Sequence, residues 1–413
     1  MIAAAEAGRL GDPLARLLPW LAMVLLALGS RVLPAGRPRS LFLVLLATSP
    51  LLFLYAAEAR AYAVLALADL ALFLLVARGR PTPMRLAAAA LLAAGALYLH
   101  YLAMFFVAAL AIVLAARRRW SSLLALSAGG LLFLPWLPIL RAQPEAATAW
   151  MREPLGDCVV GFLSCLGGAG RIPGPFGPPL PPWLFAGGIA TGVLAIAARI
   201  ARRQGPEDAD DATTTVLLFL VGVLLGSLAR PVAFAGRSEL AVLPLWLWGL
   251  AAASDRDRLA RLAGITLASV GALSTILLLS RVPGRPPGAA LLDAARRAAR
   301  PEDTLVAGGG FYLPARLEAD RGEIAARLWS FPSDLERHPG WFRAAPPTAR
   351  DYEWLTGRLE ALPDGRRVLF LLQPPFLTPE LSRLMASRGS VSLLDRKPGG
   401  LLFSWTAGPR VRP

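Results

Sequence analysis

Ser49-Pro50-Leu51-Leu52-Phe53-Leu54-Tyr55-Ala56-Ala57-Glu58-Ala59-Arg60-Ala61-Tyr62 is the stretch from which the chain is best read. An apolar run from Leu41 to Leu54 meets Glu58, Arg60 and Tyr62, and apolar character resumes at once from Val64 to Val76. That pattern is two membrane helices joined by a tight polar corner. An ion pair where two spans meet is costly unless it sits at the interface or lines a cavity, so Glu58 and Arg60 are candidate functional residues. The spacing equally allows a surface Glu–Arg pair that caps a helix end.

Composition agrees with the membrane reading. The chain has 413 residues, 55% of them hydrophobic and only 17% charged, against about 25% charged in soluble domains, and its mean hydropathy is +0.53. Apolar spans are expected at about 16–34, 40–57, 61–78, 86–99, 102–116, 121–140, 182–198, 215–229, 238–254 and 259–280. Several are shorter than the roughly 20 residues that cross a bilayer unaided. The fold class expected is therefore an α-helical polytopic membrane protein of about ten transmembrane helices. The 86–99 and 102–116 pair reads either as one long helix or as two crossings, and His100-Tyr101 between them favours two.

A net charge of +15 would suggest nucleic acid in a soluble chain, but here it follows membrane topology and no nucleic-acid partner is expected. If the ten spans alternate, one set of short connections holds Arg31, Arg37 and Arg39, then Arg78, Arg80 and Arg85, then Arg117, Arg118 and Arg119, then Arg199, Arg202 and Arg203, then Arg256, Arg258 and Arg261. The opposite set holds Arg60, Arg141, Arg230, Arg237 and a few others. The positive-inside rule makes the first set cytoplasmic. Glu58, Arg60, His100, Arg237, the loop at about 141–181 and everything after residue 281 are then expected outside.

The 49–62 stretch also carries a family resemblance. Ser49-Pro50, Tyr55 and Glu58-Ala59-Arg60-Ala61-Tyr62-Ala63 resemble a segment of the GT-C class of bacterial membrane glycosyltransferases, with Ala61 where that pattern has Pro. The branch concerned includes protein O-mannosyltransferases and lipid A aminoarabinose transferases. Pro135-Trp136-Leu137-Pro138, His100-Tyr101, and Arg230-Pro231 with Arg237 and Leu243-Pro244 are similar to further family features, and together the resemblance spans most of residues 9 to 260. It implies transfer of a sugar from a polyprenyl-phosphate carrier to an acceptor lipid, glycan or protein, in the bacterial inner membrane among its lipids. No nucleotide is expected.

Gly11-Asp12-Pro13-Leu14-Ala15-Arg16-Leu17-Leu18-Pro19 resembles a stretch that in the family follows a first transmembrane helix and a first outer loop. The expectation is that this chain lacks both, as a truncated gene model, a fragment or an inactive relative. The family assigns base or metal-binding roles to an acidic residue of that loop, which leaves a divalent metal open as a cofactor. No metal-ligand spacing is visible: His100 and His338 are far apart with no neighbouring Cys.

The resemblance and the chemistry select the same residues. Departure of a phosphate and deprotonation of an acceptor hydroxyl need cations and a carboxylate. Glu58 is the carboxylate expected to act as base, or otherwise to orient Arg60. Arg60 and Arg237 are expected to hold the carrier phosphate, because the planar guanidinium donates bidentate hydrogen bonds. Tyr62, His100 and Tyr101 complete the expected carrier-binding set, His100-Tyr101 having an interfacial aromatic belt as its other reading. Asp69, in mid-span, is expected to find a structural partner. Cys158 and Cys165 share the long outer loop and form either a disulfide or two buried thiols on a re-entrant helix from Val159 to Leu166.

Two domains are expected, residues 1–280 in the membrane and 281–413 as a small extracytoplasmic α/β domain. In the latter, Ala289–Ala299 reads as an amphipathic helix and Thr304–Ala307, Arg366–Leu372, Val391–Leu394 and Leu401–Trp405 as strands. Gly308-Gly309-Gly310 lacks the flanking pattern of a phosphate loop and reads as a turn. A transporter or lipid flippase would also carry ten spans, but the sequence shows no paired internal repeats.

Overall fold

A computed structural model of the protein describes residues 12–56, 58, 60–78, 80–142, 152–170, 181–201, 206–281, 287–336, 347–397 and 399–408. They fall into two compact units, one helical up to residue 281 and one containing the sheet from residue 287 on.

The helical unit contains α1 (Asp12–Gly29), α2 (Arg37–Thr48), α3 (Pro50–Ala56), α4 (Tyr62–Ala77), α5 (Pro83–Leu99), α6 (Leu102–Ala116), α7 (Trp120–Phe133), α8 (Leu137–Ala142), α9 (Leu155–Leu166), α10 (Pro182–Ala201), α11 (Glu207–Ala229), α12 (Leu243–Ala253) and α13 (Arg258–Arg281). Each of the ten apolar stretches lies largely in helix, the 40–57 stretch being broken at Ser49. Among the described residues four helices are long and apolar enough to cross a membrane alone, at 120–142, 182–201, 207–229 and 258–280, and the bent pair α2–α3 adds a fifth only if its two helices count as one span. The other apolar helices are shorter, from 10 to 17 residues, so length alone does not fix the number of crossings. The 86–99 and 102–116 stretches are two helices, separated where His100 adopts extended backbone at φ −161° and ψ 139°.

Helix α12 sits in the middle. All of its residues are buried, Trp246 and Trp248 among them, as expected of a helix that is apolar all round. Helix α9 packs on α10 through small residues: a Cβ on Gly188 would stand 2.4 Å from Ala169 Cβ, and one on Gly192 would stand 2.2 Å from Leu163 O. A Gly-x-x-x-Gly spacing lets helix backbones approach this closely. Cys158 and Cys165 are buried thiols on α9 and form no disulfide; seven residues of helix separate them by about 10 Å, beyond the reach of an S–S bond. The Pro/Gly-rich part of the expected outer loop, 171–180, lies outside the described residues.

The second unit is a five-stranded sheet of β1 (Thr304–Gly308), β2 (Arg327–Phe331), β3 (Arg367–Leu372), β4 (Gly389–Lys397) and β5 (Gly400–Ala407) in the order β2-β1-β3-β5-β4. The pairs β1–β2 and β1–β3 are parallel, while β3–β5 and β4–β5 are antiparallel. Alternation of side chains gives it two apolar faces. Leu305, Ala307, Leu369 and Leu371 pack with α14 (Pro287–Ala298) and α15 (Tyr312–Asp320), whereas Val306, Val368, Phe370 and Leu372 pack with α16 (Ala349–Glu360) and α17 (Pro379–Ala386). The triple glycine is a closed turn, since Gln373 Oε1 accepts from Gly310 N at 3.0 Å and a Cβ on Gly309 would meet that same oxygen at 2.4 Å.

Candidate functional site

Three helix breaks build the site. Pro50 has no N–H to continue α2, so the chain restarts as α3 at 64° to it, with Ser49 Oγ accepting from Leu52 N at 3.4 Å. The short α3 carries Tyr55; Glu58 and Arg60 occupy the bend that follows, and Tyr62 opens α4. At the second break His100 Nδ1 accepts from Leu102 N at 3.1 Å, which puts the ring proton of the neutral imidazole on Nε2.

The third break, between α11 and α12, is held by side-chain caps. Ser227 Oγ accepts from Val232 N (3.1 Å) and Ala233 N (2.6 Å), Ser238 Oγ from Phe234 N (3.0 Å), and the buried Glu239 Oε2 from Gly236 N (2.9 Å). Gly236 has φ +89°, a conformation that glycine adopts without strain. Arg237 follows it on a fixed backbone.

The three breaks meet. Arg237 Nε donates to Tyr55 OH at 3.1 Å, and its guanidinium carbon lies 5.2 Å from the centre of the Phe234 ring. The Tyr55 and Tyr62 rings stand edge to face at 5.2 Å, Tyr62 lies 4.9 Å from His100, and His100 lies 4.3 Å from Tyr101. Arg237 is within electrostatic reach of Tyr62 and Tyr101 as well, and Arg60 of Tyr62. Beside this aromatic strip Arg60 Nε pairs with Glu58 Oε2 at 3.4 Å, both side chains partly open to solvent. Burial pushes the His100 imidazole down to about 4 and the Tyr101 phenol up.

Thus Glu58, Arg60, Tyr62, His100, Tyr101 and Arg237, drawn from three corners of the sequence, gather at one end of the helical unit. Sequence reasoning gave Tyr55 no role of its own, although the residue stood in the matched segment; its partner is 182 positions away. Asp69 departs from expectation. It is fully buried in α4, and neither carboxylate oxygen has a hydrogen-bond partner among the described residues, because its surroundings on that helix are the apolar core. Among the described residues no three His, Cys, Asp or Glu side chains come together as metal ligands.

The opposite end of α4 carries a second polar cluster. The acidic first turns of α11 gather arginines from three connections: Asp208 pairs with Arg78 (2.6 Å), Asp211 with Arg117 (2.7 Å) and Arg119 (3.8 Å), and Asp210 with the buried Arg199. Arginines of the set read as lying on one face therefore do share one end of the unit. The candidate site lies at the other, since α4 runs some 24 Å from Tyr62 to Arg78.

No protein-family model matches the sequence, and no functionally curated protein matches it. Solved structures do match: ArnT from Cupriavidus metallidurans in the apo state aligns at 13% identity with a TM-score of 0.58, and ArnT bound to undecaprenyl phosphate at 14% with a TM-score of 0.60. Each alignment covers 99% of this chain and 87% of ArnT. This chain, a polytopic membrane protein, therefore shares the fold of ArnT.

Proposed function

We propose that the protein transfers a sugar from a polyprenyl-phosphate carrier to an acceptor lipid, glycan or protein at the outer face of the bacterial inner membrane. The observation that supports this reading most is the convergence of Arg237, Arg60 and Glu58 on one aromatic strip, within a fold whose ArnT representative binds undecaprenyl phosphate.

In this reading Arg237, steadied by Tyr55 and Phe234, turns its positive charge toward the carrier phosphate, and Arg60 supplies the second cation. Glu58 takes the proton of the acceptor hydroxyl. The acceptor oxygen attacks the anomeric carbon from the face opposite the phosphate, the bond from that carbon to the phosphate oxygen breaks, and the phosphate leaves with the electron pair. The anomeric centre inverts, and the arginines offset the charge that develops on the leaving oxygen. His100, neutral with its proton on Nε2, is a hydrogen-bond donor beside the same aromatic strip. The sheet unit, expected from the sequence as residues 281–413, is extracytoplasmic in this scheme.

The test is transfer of labelled sugar from polyprenyl-phosphate donors by the protein reconstituted in lipid. Transfer that needs the lipid carrier and falls at least a hundredfold in Glu58→Gln supports the proposal. Transfer from a soluble nucleotide sugar without the carrier contradicts it.

A further inference from the structure

Helices α2 and α13 run side by side in parallel. A Cβ on Gly264 would come within 2.9 Å of Leu41 Cδ2, and one on Gly271 within 2.7 Å of Thr48 O, while Thr275 Oγ1 donates to Thr48 O at 2.9 Å. Seven residues separate the two contacts on each helix, so the register holds over two turns. The small residues let the backbones meet, and a groove of about 530 Å³ lies along the two helices.

The groove is polar at one end and apolar along its length. Arg37, in the first turn of α2, and Arg261, in the first turn of α13, stand at its mouth, and Leu41, Val44, Ile265 and Ala268 line the course beyond. Backbone carbonyls fix the Arg261 guanidinium, Ser254 O accepting from Nε (3.0 Å) and Asp255 O from Nη2 (3.4 Å). Arg37 is exposed, and among the described residues it has no hydrogen bond or ion pair. Neither arginine has a carboxylate partner among the described residues, whereas Arg78, Arg117, Arg119 and Arg199 are all paired with the acids of α11.

Two uncompensated guanidinium groups at the head of an open apolar groove complement a phosphate with hydrocarbon attached. We infer that this groove binds an anionic glycerophospholipid, with its phosphate between Arg37 and Arg261 and an acyl chain laid along Leu41, Val44, Ile265 and Ala268. The inference does not depend on the transferase reading, because these residues belong to the arginine-rich ends of α2 and α13 and not to the Tyr55–Arg237 cluster.

Native mass spectrometry of the full-length protein titrated with phosphatidylglycerol or phosphatidylcholine tests it. Phosphatidylglycerol is expected to fill one site at roughly tenfold lower concentration than phosphatidylcholine. Arg37→Ala with Arg261→Ala should abolish that preference, as should Ser269→Trp, which obstructs the groove while keeping both arginines. Arg80→Ala, removing an exposed arginine outside the groove, should leave it unchanged. Equal binding of the two lipids by the native protein overturns the inference, as does a preference that survives either groove variant or is lost in Arg80→Ala. Displacement of phosphatidylglycerol from the site by equimolar undecaprenyl phosphate would assign the groove to the carrier lipid and overturn it too.

Discussion

Tyr55 shows what a single hydroxyl contributes to this site. Its phenol accepts from Arg237 Nε at 3.1 Å, so Tyr55→Phe removes one charge-assisted hydrogen bond while keeping the ring that packs on Tyr62. Loss of about 1.5 kcal/mol should raise the dissociation constant for a polyprenyl-phosphate sugar roughly tenfold, as read by titration in lipid. An unchanged constant would mean that Arg237 needs no steadying. His100 makes a different prediction. Burial lowers its folded-state pKa to about 4, so the fold holds the imidazole neutral and the unfolded chain takes up the proton first. Its contribution to stability is complete above the ordinary value near 6.5 and is lost as pH falls from there toward 4. Carrier affinity should accordingly show no inflection from His100 between about pH 5 and 8; a step near 6.5 that disappears in His100→Gln would contradict the assignment. Glu58, Arg60, Tyr62, His100, Tyr101 and Arg237 were all legible in the sequence because each interrupts or borders an apolar run, where polarity is conspicuous. The contact of Tyr55 with Arg237 was not, since nothing local marks a partner 182 residues distant. Asp69 was misread for the same reason: its burial follows from its place in a span, but whether a partner waits there is a tertiary fact.

Among the elements, a close backbone approach in the helical unit and a charged pair in the sheet unit each carry a prediction. Between α9 and α10, Gly188 and Gly192 leave no room for side chains. Gly188→Leu should cost at least 1–3 kcal/mol through overpacking, seen as a drop in the melting temperature of the purified protein, whereas Gly187→Leu, at a position with open space, should have little effect. In the sheet unit, Asp303 ties the start of β1 to β3. It accepts from Arg367 Nε at 3.1 Å and from Arg367 Nη2, and also from Arg300 N at 2.9 Å. Burial alone would raise its pKa, but the hydrogen bonds to Arg367 and Arg300 outweigh burial and hold it below the ordinary carboxylate range. A lowered folded-state value means that the stabilisation is complete above the unfolded value near 3.9 and is lost as pH falls through it toward the folded one. Asp303→Asn should cost about 2 kcal/mol at neutral pH and weaken hydrogen-exchange protection of the β1 and β3 amides; unchanged protection would show that the pair contributes nothing. Strands β1, β3, β4 and β5 were legible as short apolar runs between turn residues. Strand β2 (Arg-Leu-Trp-Ser-Phe) was not, because Arg327 and Ser330 interrupt its short apolar pattern and only pairing with β1 makes it a strand. Helices α15 to α17 escaped notice because short polar helices depend on the sheet face they cover.

At the scale of the whole molecule, two polar clusters lie at opposite ends of the helical unit. One joins the acids of α11 to arginines from three connections, and the other joins three helix breaks through Arg237 and the aromatic strip. Alternation of spans and counting of arginines anticipated that segregation, since both depend on sequence order alone. The 64° break at Ser49-Pro50 that sets Tyr55 against Arg237 was not anticipated, although Pro50 was in plain view, because an apolar run carries no signal of its direction. The second cluster is the proposed carrier site. The most direct test is titration of the purified protein in lipid with a polyprenyl-phosphate sugar, for the native chain, Arg60→Ala and Arg237→Ala. Saturable binding by the native protein, weakened roughly tenfold or more by each substitution, is the expected result. Binding that is equally strong in all three, or absent from the native protein, would contradict the assignment of this cluster as the site where the carrier phosphate is held.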